Sequence, residues 1–525
     1  MKALLSTRAS RAWLGVALVG LVVVVLVVAL GLIPRLAAGQ DLIDAAKPAL
    51  TDERVAGDRA GIDFISTYVD LADPLMTVRG GGSSEVETLV GILRRRTKLS
   101  SKEVVELLHK EAPHTEALLR ALPLSGVARE IPALTDYLAT TLNLPEEDVA
   151  AEVEQSFPKL SQTLAVLPGV TDGWNDIPGA EGLTRFDGTT PVRTVPDLRD
   201  TFSADLVATV ERDKDDFQDV AGDGGIGYIP WLLLVVGVAV LAYGLLQARR
   251  AANASPGGGA WAGVVAVGVF ILALVVIMGY SSRLDGADRV ISDLDPAFDA
   301  QRVQGYRAGV DMVHQTVLFG DPIVTARGGA EAEAPRLIAF VSGKTNVSRD
   351  KVRAALRRRA PRIAALLQAV PLSKVAAEVP HLVGVLAKRM KIRSDDVLAI
   401  LRERTPRLAQ SILAARPVAL GWNAIPGTAQ LTSFDGTTAV RTMPALDQYF
   451  GTDVIPVLET QRQNFRDLAD PWPPVNALAP LMLVVGALVT LYGLLMMRVA
   501  TRPPRAPRAP RPANRRRMLR RGASR

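Results

Sequence analysis

Four apolar stretches set the limits on what this chain can become: Trp13–Ile33, Ile229–Leu246, Trp261–Tyr280 and Leu478–Val499. Within them the one charged side chain is Arg498, at the end of the last. A helix of about 20 apolar residues crosses about 30 Å of hydrocarbon, and each stretch reads as a transmembrane helix. Lys2, Arg8 and Arg11 ahead of the first resemble the start of a cleaved signal peptide. Its apolar run is longer than a signal peptide's, so it reads as an uncleaved anchor.

The third stretch begins 248 residues after the first, and that spacing recurs along the chain. Gly173–Pro196 (GWNDIPGAEGLTRFDGTTPVRTVP) returns at Gly421–Pro444 with 17 of 24 positions identical. Asp73–Gly81 returns at Asp321–Gly329, and Pro123, Leu124, Ser125, Glu130 and Pro132 return at Pro371, Leu372, Ser373, Glu378 and Pro380. The unit of span, soluble segment and span is present twice, in parallel.

Within each soluble segment a weaker repeat of 45 residues pairs Leu99, Val104 and Pro113 with Leu144, Val149 and Pro158. Val104, Leu107 and Leu108 lie on one helix face. Ser100 with Glu103 forms a capping box, and each proline ends one helix and opens the next. The expected fold is mainly α: four transmembrane helices carrying two tandem, duplicated α-helical extracytoplasmic domains, each with a small β-hairpin at the Asp-Gly turn. Helices over Arg35–Leu71 and Asp197–Asp219, with equivalents Arg283–Leu318 and Ala445–Leu468, are expected to join domains to spans.

Charge sets the orientation. The N-terminal residues, the loop Gln247–Ala260 and the tail from Arg498 contain 16 basic side chains and no acidic one. By the positive-inside rule these face the cytoplasm. The expected order is then residues 1–33 for the N-terminus and first span, 34–228 outside, 229–246 as span, 247–260 inside, 261–280 as span, 281–474 outside, 475–499 as span, and 500–525 as a disordered basic tail. The overall +7 therefore does not signal nucleic acid, and none is expected as a partner. The absence of cysteine excludes disulfides and thiolate metal sites. The Ala-, Val- and Arg-rich, cysteine-free composition suggests a bacterium of high genomic GC.

The repeated stretch is the most prominent candidate site. As a ligand loop it would offer Asp187 and Asp435 and Arg193 and Arg441 as polar contacts, with Trp174 and Trp422 as aromatic platforms. As a folding element it needs the same residues for a turn and a core, and turn chemistry already explains Asp-Gly and Pro-Gly. The folding reading is preferred. Arg79-Gly80-Gly81 and Arg327-Gly328-Gly329 read as turns rather than anion nests. No histidine occurs at equivalent positions of both copies, and no nucleophile, metal or phosphate-loop motif is present. No catalytic residue, cofactor or metal is therefore assigned, and a non-enzymatic role is expected.

The segment 34–228 is acidic, with 19 basic and 34 acidic side chains, whereas 281–474 is basic. Arg357, Arg358 and Arg359 head the basic run. This asymmetry suggests docking of the two domains on each other, or capture of an anionic envelope polymer or lipid; the alternative is a solvated face. The expected role is an envelope scaffold or binding protein acting through its extracytoplasmic helical domains and held in the lipid bilayer. The alternative is an accessory to lipid or envelope-component transport.

Overall fold

The computed structural model describes residues 8–77, 81–222, 225–253, 258–277, 279–324 and 329–501. The basic tail from 502, and Arg79, Gly80, Arg327 and Gly328, lie outside the described residues. The chain is mainly helical and divides into two compact units, one formed by residues 1–36, 227–285 and 471–525 and the other by 37–226 and 286–470.

The first unit contains four helices long and apolar enough to cross a membrane, Arg8–Ala29, Ile229–Asn253, Gly258–Ile277 and Leu478–Ala500. The first packs along the second and the third along the fourth. Glycine sets the approach. A Cβ on Gly20 would meet the Leu241 amide nitrogen at 2.4 Å, and one on Gly268 would meet that of Thr490 at 2.6 Å. Close backbone contact through small residues is how helices associate in lipid, where burial supplies no driving force. Trp13 stacks on Trp261 with ring centroids 3.8 Å apart.

The second unit differs from the expectation of two separate domains. Both soluble segments contribute to one continuous apolar core. Asp52–Met76 packs against Pro406–Gly421, Ala300–Val324 against Pro158–Gly173, and Pro113–Ala121 against Pro361–Ala369, so each pairing joins the first half of the chain to the second. The reason lies in helix length. Helices of 9 to 16 residues bury one face against their sequence neighbours and need a second partner for the rest. That partner comes from the other half.

Four glutamates fasten the halves together. Helices led by Pro113, Pro158, Pro361 and Pro406 present amide donors that their own turns cannot satisfy. Glu378 accepts from the backbone N–H groups of His114 (3.1 Å) and Thr115 (2.9 Å), and Glu130 from those of Arg362 (2.8 Å) and Ile363 (3.2 Å). Glu333 accepts from Leu160 (2.7 Å) and Glu85 from Leu408 (2.9 Å). Every one of these carboxylates caps a helix from the opposite half, where the helix dipole favours negative charge.

The capping box of Ser100 and Glu103 is present as expected. The β-hairpins are not. Among the described residues there is no strand, and each loop holds a single bridge, Thr184 with Pro191 and Thr432 with Ala439. A type I′ hairpin needs positive φ at both turn residues. Here Gly188 alone has it, at 71°, and its N–H reaches the Arg185 carbonyl at 2.9 Å. Asp187 keeps the following amides of Thr189 and Thr190 for itself, at 2.8 Å each, and so ends the ladder after one rung.

Candidate functional site

The long helices expected next to the spans are interrupted, and the interruptions build a cavity. Arg35–Leu71 is broken between Ala46 and Asp52, and Arg283–Leu318 passes through a 3₁₀ turn at Asp295–Phe298. Near the other end of each half the helix passes through a π turn, Thr201–Val207 and Phe450–Val454. A π turn inserts one residue into the helical ladder and shifts the faces on either side of it, and such turns are frequent at functional sites. Both occur at matching positions, so the 248-residue register stays intact and the sequence gives no sign of them.

All four interrupted segments turn apolar side chains toward one cavity of about 150 Å³. Leu42 and Ala46 come from the first, Leu206 and Val210 from the π-turn helix of the first half, Phe298 from the 3₁₀ turn, and Val454 and Val457 from the last. An apolar cavity of this size accommodates a benzene-sized group.

One wall is polar. Asp58 lines the cavity, and its Oδ2 accepts from the Tyr449 hydroxyl at 3.3 Å while its Oδ1 is shielded from solvent and has no partner. Burial pushes the Asp58 carboxyl up to about 7, against the opposing pull of the Tyr449 hydrogen bond and the Arg54 charge. Burial likewise raises Tyr449. Arg54, one turn earlier, lies over the Phe434 ring at 5.1 Å, and its Nη2 donates to the Ser433 carbonyl at 2.7 Å. Its Nη1 is buried without a partner. Sequence reading missed all three polar residues. A signal was present for Asp58: it sits on the stripe Val55, Ile62, Ile65, Val69, a helix face that is otherwise apolar.

The nine residues singled out from sequence do not converge. Trp174 and Trp422 are fully buried, and their indole N–H groups donate to Asp73 (2.9 Å) and Asp321 (3.0 Å). Asp187 and Asp435 are exposed, and each closes its own turn through the two following threonines. Hydrogen bonds from that turn hold both carboxyls well below the usual range. Arg441 donates to the Ala429 carbonyl at 3.0 Å within its own loop, and Arg193 is exposed.

Arg357, Arg358 and Arg359 are exposed at the end of Arg349–Arg359 and form no ion pair among the described residues. The acidic and basic runs therefore do not meet as runs; Glu111 reaches across, but to His381, at 3.1 Å. Arg357 instead borders an open cleft of about 370 Å³ with His114, Arg353 and Lys374.

No protein-family model, curated protein or solved structure matches the chain. The site is thus read on its own chemistry: an apolar cavity with a carboxyl and a phenol on one wall, and a guanidinium one helical turn from the carboxyl. Such a wall can orient a polar group while the rest of a ligand is removed from water.

Proposed function

We propose that this chain is a non-enzymatic, multi-pass membrane protein of a bacterial envelope whose helical body binds the apolar part of an amphiphilic envelope molecule. The observation that carries this reading is the cavity lined by both π turns, apolar on most sides and polar on one. Burial of an alkyl chain contributes about 0.8 kcal/mol per methylene, so a short segment is enough for useful affinity.

The orientation belongs to the same proposal, with both termini and residues 247–260 in the cytoplasm and the helical body outside. It rests on the 16 basic side chains confined to those three segments. Origin by tandem duplication rests on the 248-residue register, which the capping glutamates also follow, Glu85 with Glu333 and Glu130 with Glu378. The basic tail would lie on the anionic inner leaflet. A role in handling lipid or another envelope component then follows from what the cavity would hold. The cleft beside Arg353, Arg357 and Lys374 favours a second contact, to an anionic polymer or headgroup.

The test is extraction of the full chain from its native membrane in mild detergent, followed by mass spectrometry of what remains bound. Stoichiometric amphiphile in the wild type and its absence from Val457→Trp, which fills the cavity, is the expected result. Equal content in both, or none in either, would overturn the reading.

A further inference from the structure

The two halves treat the same arginine differently, and the difference selects a ligand. Arg302 is the counterpart of Arg54, 248 residues on. Arg302 donates through Nη2 to the Arg185 carbonyl (2.9 Å), through Nε to the Thr184 carbonyl (3.1 Å), and through Nη1 to the Pro296 carbonyl (3.1 Å). Arg54 makes the matching contacts to Thr432 and Ser433, the counterparts of Thr184 and Arg185. The segment around Pro48, counterpart of Pro296, supplies nothing, and Arg54 Nη1 is left buried and unpartnered. One turn along, Tyr306 is replaced by Asp58, which faces the cavity with Oδ1 unpartnered. The Tyr306 hydroxyl is also without a partner, but a neutral phenol is far cheaper to leave unpaired than a carboxylate or a guanidinium.

Buried polar atoms without partners are rare, because each carries the full cost of its lost hydration. Here a donor and an acceptor lie a single helical turn apart, at positions i and i+4 of one helix. Of the two, Asp58 lines the cavity, so a group that answers it there must donate to Oδ1. A fixed carboxylate would meet repulsion from Asp58 once that group ionises, and an ammonium would meet it from Arg54 nearby. A hydroxyl donates without charge.

We infer that the cavity selects an uncharged amphiphile with a hydroxyl head, such as an acylglycerol or long-chain alcohol, that donates to Asp58 Oδ1. This rests on the cavity being the binding site. Tyr449 fixes the second carboxyl oxygen of Asp58. The receiving oxygen is therefore held in place before a ligand arrives, which lowers the ordering cost of binding.

The test is calorimetric titration of the full-length chain in amphipol with 1-decanol and with its methyl ether, which accepts a hydrogen bond but cannot donate one. Val457→Trp serves as the blank for partition into the amphipol. Wild type should bind the alcohol about tenfold more tightly than the ether, the cost of one unmade buried hydrogen bond. Asp58→Leu should lose that preference while still binding the ether. Equal affinity for alcohol and ether in the wild type, as water on both polar atoms would give, overturns the hydroxyl selection and leaves the cavity reading intact. A preference that survives in Asp58→Leu overturns it too. Heats no larger than those of the Val457→Trp blank for either probe overturn the cavity reading itself.

Discussion

The loop Gly173–Pro196 and the cavity beside Asp58 stand at opposite ends of one scale. In the loop nearly every polar group is spoken for: Trp174 by Asp73, Asp187 by its own threonines, the Ile177 amide by the Arg193 carbonyl at 2.8 Å. At the cavity Asp58 keeps Oδ1 without a partner, and Arg54, one helical turn away, keeps Nη1. The loop is what the two halves share most closely, and the cavity wall is where they part, at Asp58 against Tyr306. Identity between the halves therefore marks what folding requires, and divergence marks where a ligand would be chosen.

The comparison breaks most visibly at the loop. Trp174→Ala or Trp422→Ala removes a fully buried indole and its hydrogen bond to an aspartate, and should cost about 3–5 kcal/mol in denaturant unfolding. Unchanged stability with lost ligand binding would make the loop a site after all. A smaller loss, about 2–3 kcal/mol, is expected for Glu378→Ala, which strands two amide donors and the Thr115 hydroxyl. A surface pair gives the contrast: Glu111→Gln, across from His381, should cost less than about 1 kcal/mol.

Asp58 sharpens the other end. Its folded-state pKa of about 7 lies above the ordinary value, so the folded protein holds the proton more tightly than the unfolded chain. Stability should fall as pH rises from about 4 to 7 and then level off as far as this group is concerned. Tyr449 and Arg54 are the groups that face it, and burial moves the Tyr449 phenol up, away from that window. Asp58→Asn should therefore raise the melting temperature above pH 7 and leave it unchanged near pH 4. An equal shift at both pH values would mean that the carboxyl is not desolvated. The smallest effect is expected at Arg357→Glu, which should change stability by no more than about 0.5 kcal/mol, because the side chain is exposed and unpaired.

How much of this could be read from residues alone depends on the kind of signal. The four apolar helices, the Ser100 capping box and the proline-led helix starts are local, set by composition and by short spacing. The joining of the halves is not local. Glu130 and Glu378 stand out in sequence as repeated, but nothing in their neighbourhood says that each caps a helix more than 230 residues away. Asp-Gly suggested a hairpin, yet the choice between turns lay in whether Asp187 adopts positive φ, and its own hydrogen bonds decide that. The π turns left no trace at all, since both halves carry them in register. The charge runs misdirected most. Arg357, Arg358 and Arg359 are conspicuous yet unpaired, whereas the halves are joined by a shared apolar core and by single buried or half-buried glutamates.

The most direct measurement of the central claim is titration of an alkyl probe into the full-length wild type and into Val210→Trp and Val457→Trp, which close the cavity from two different helices. Saturable one-to-one binding to the wild type, lost in both variants with the melting temperature retained, is the predicted result. Binding that persists unchanged when the cavity is filled from either side would contradict the account.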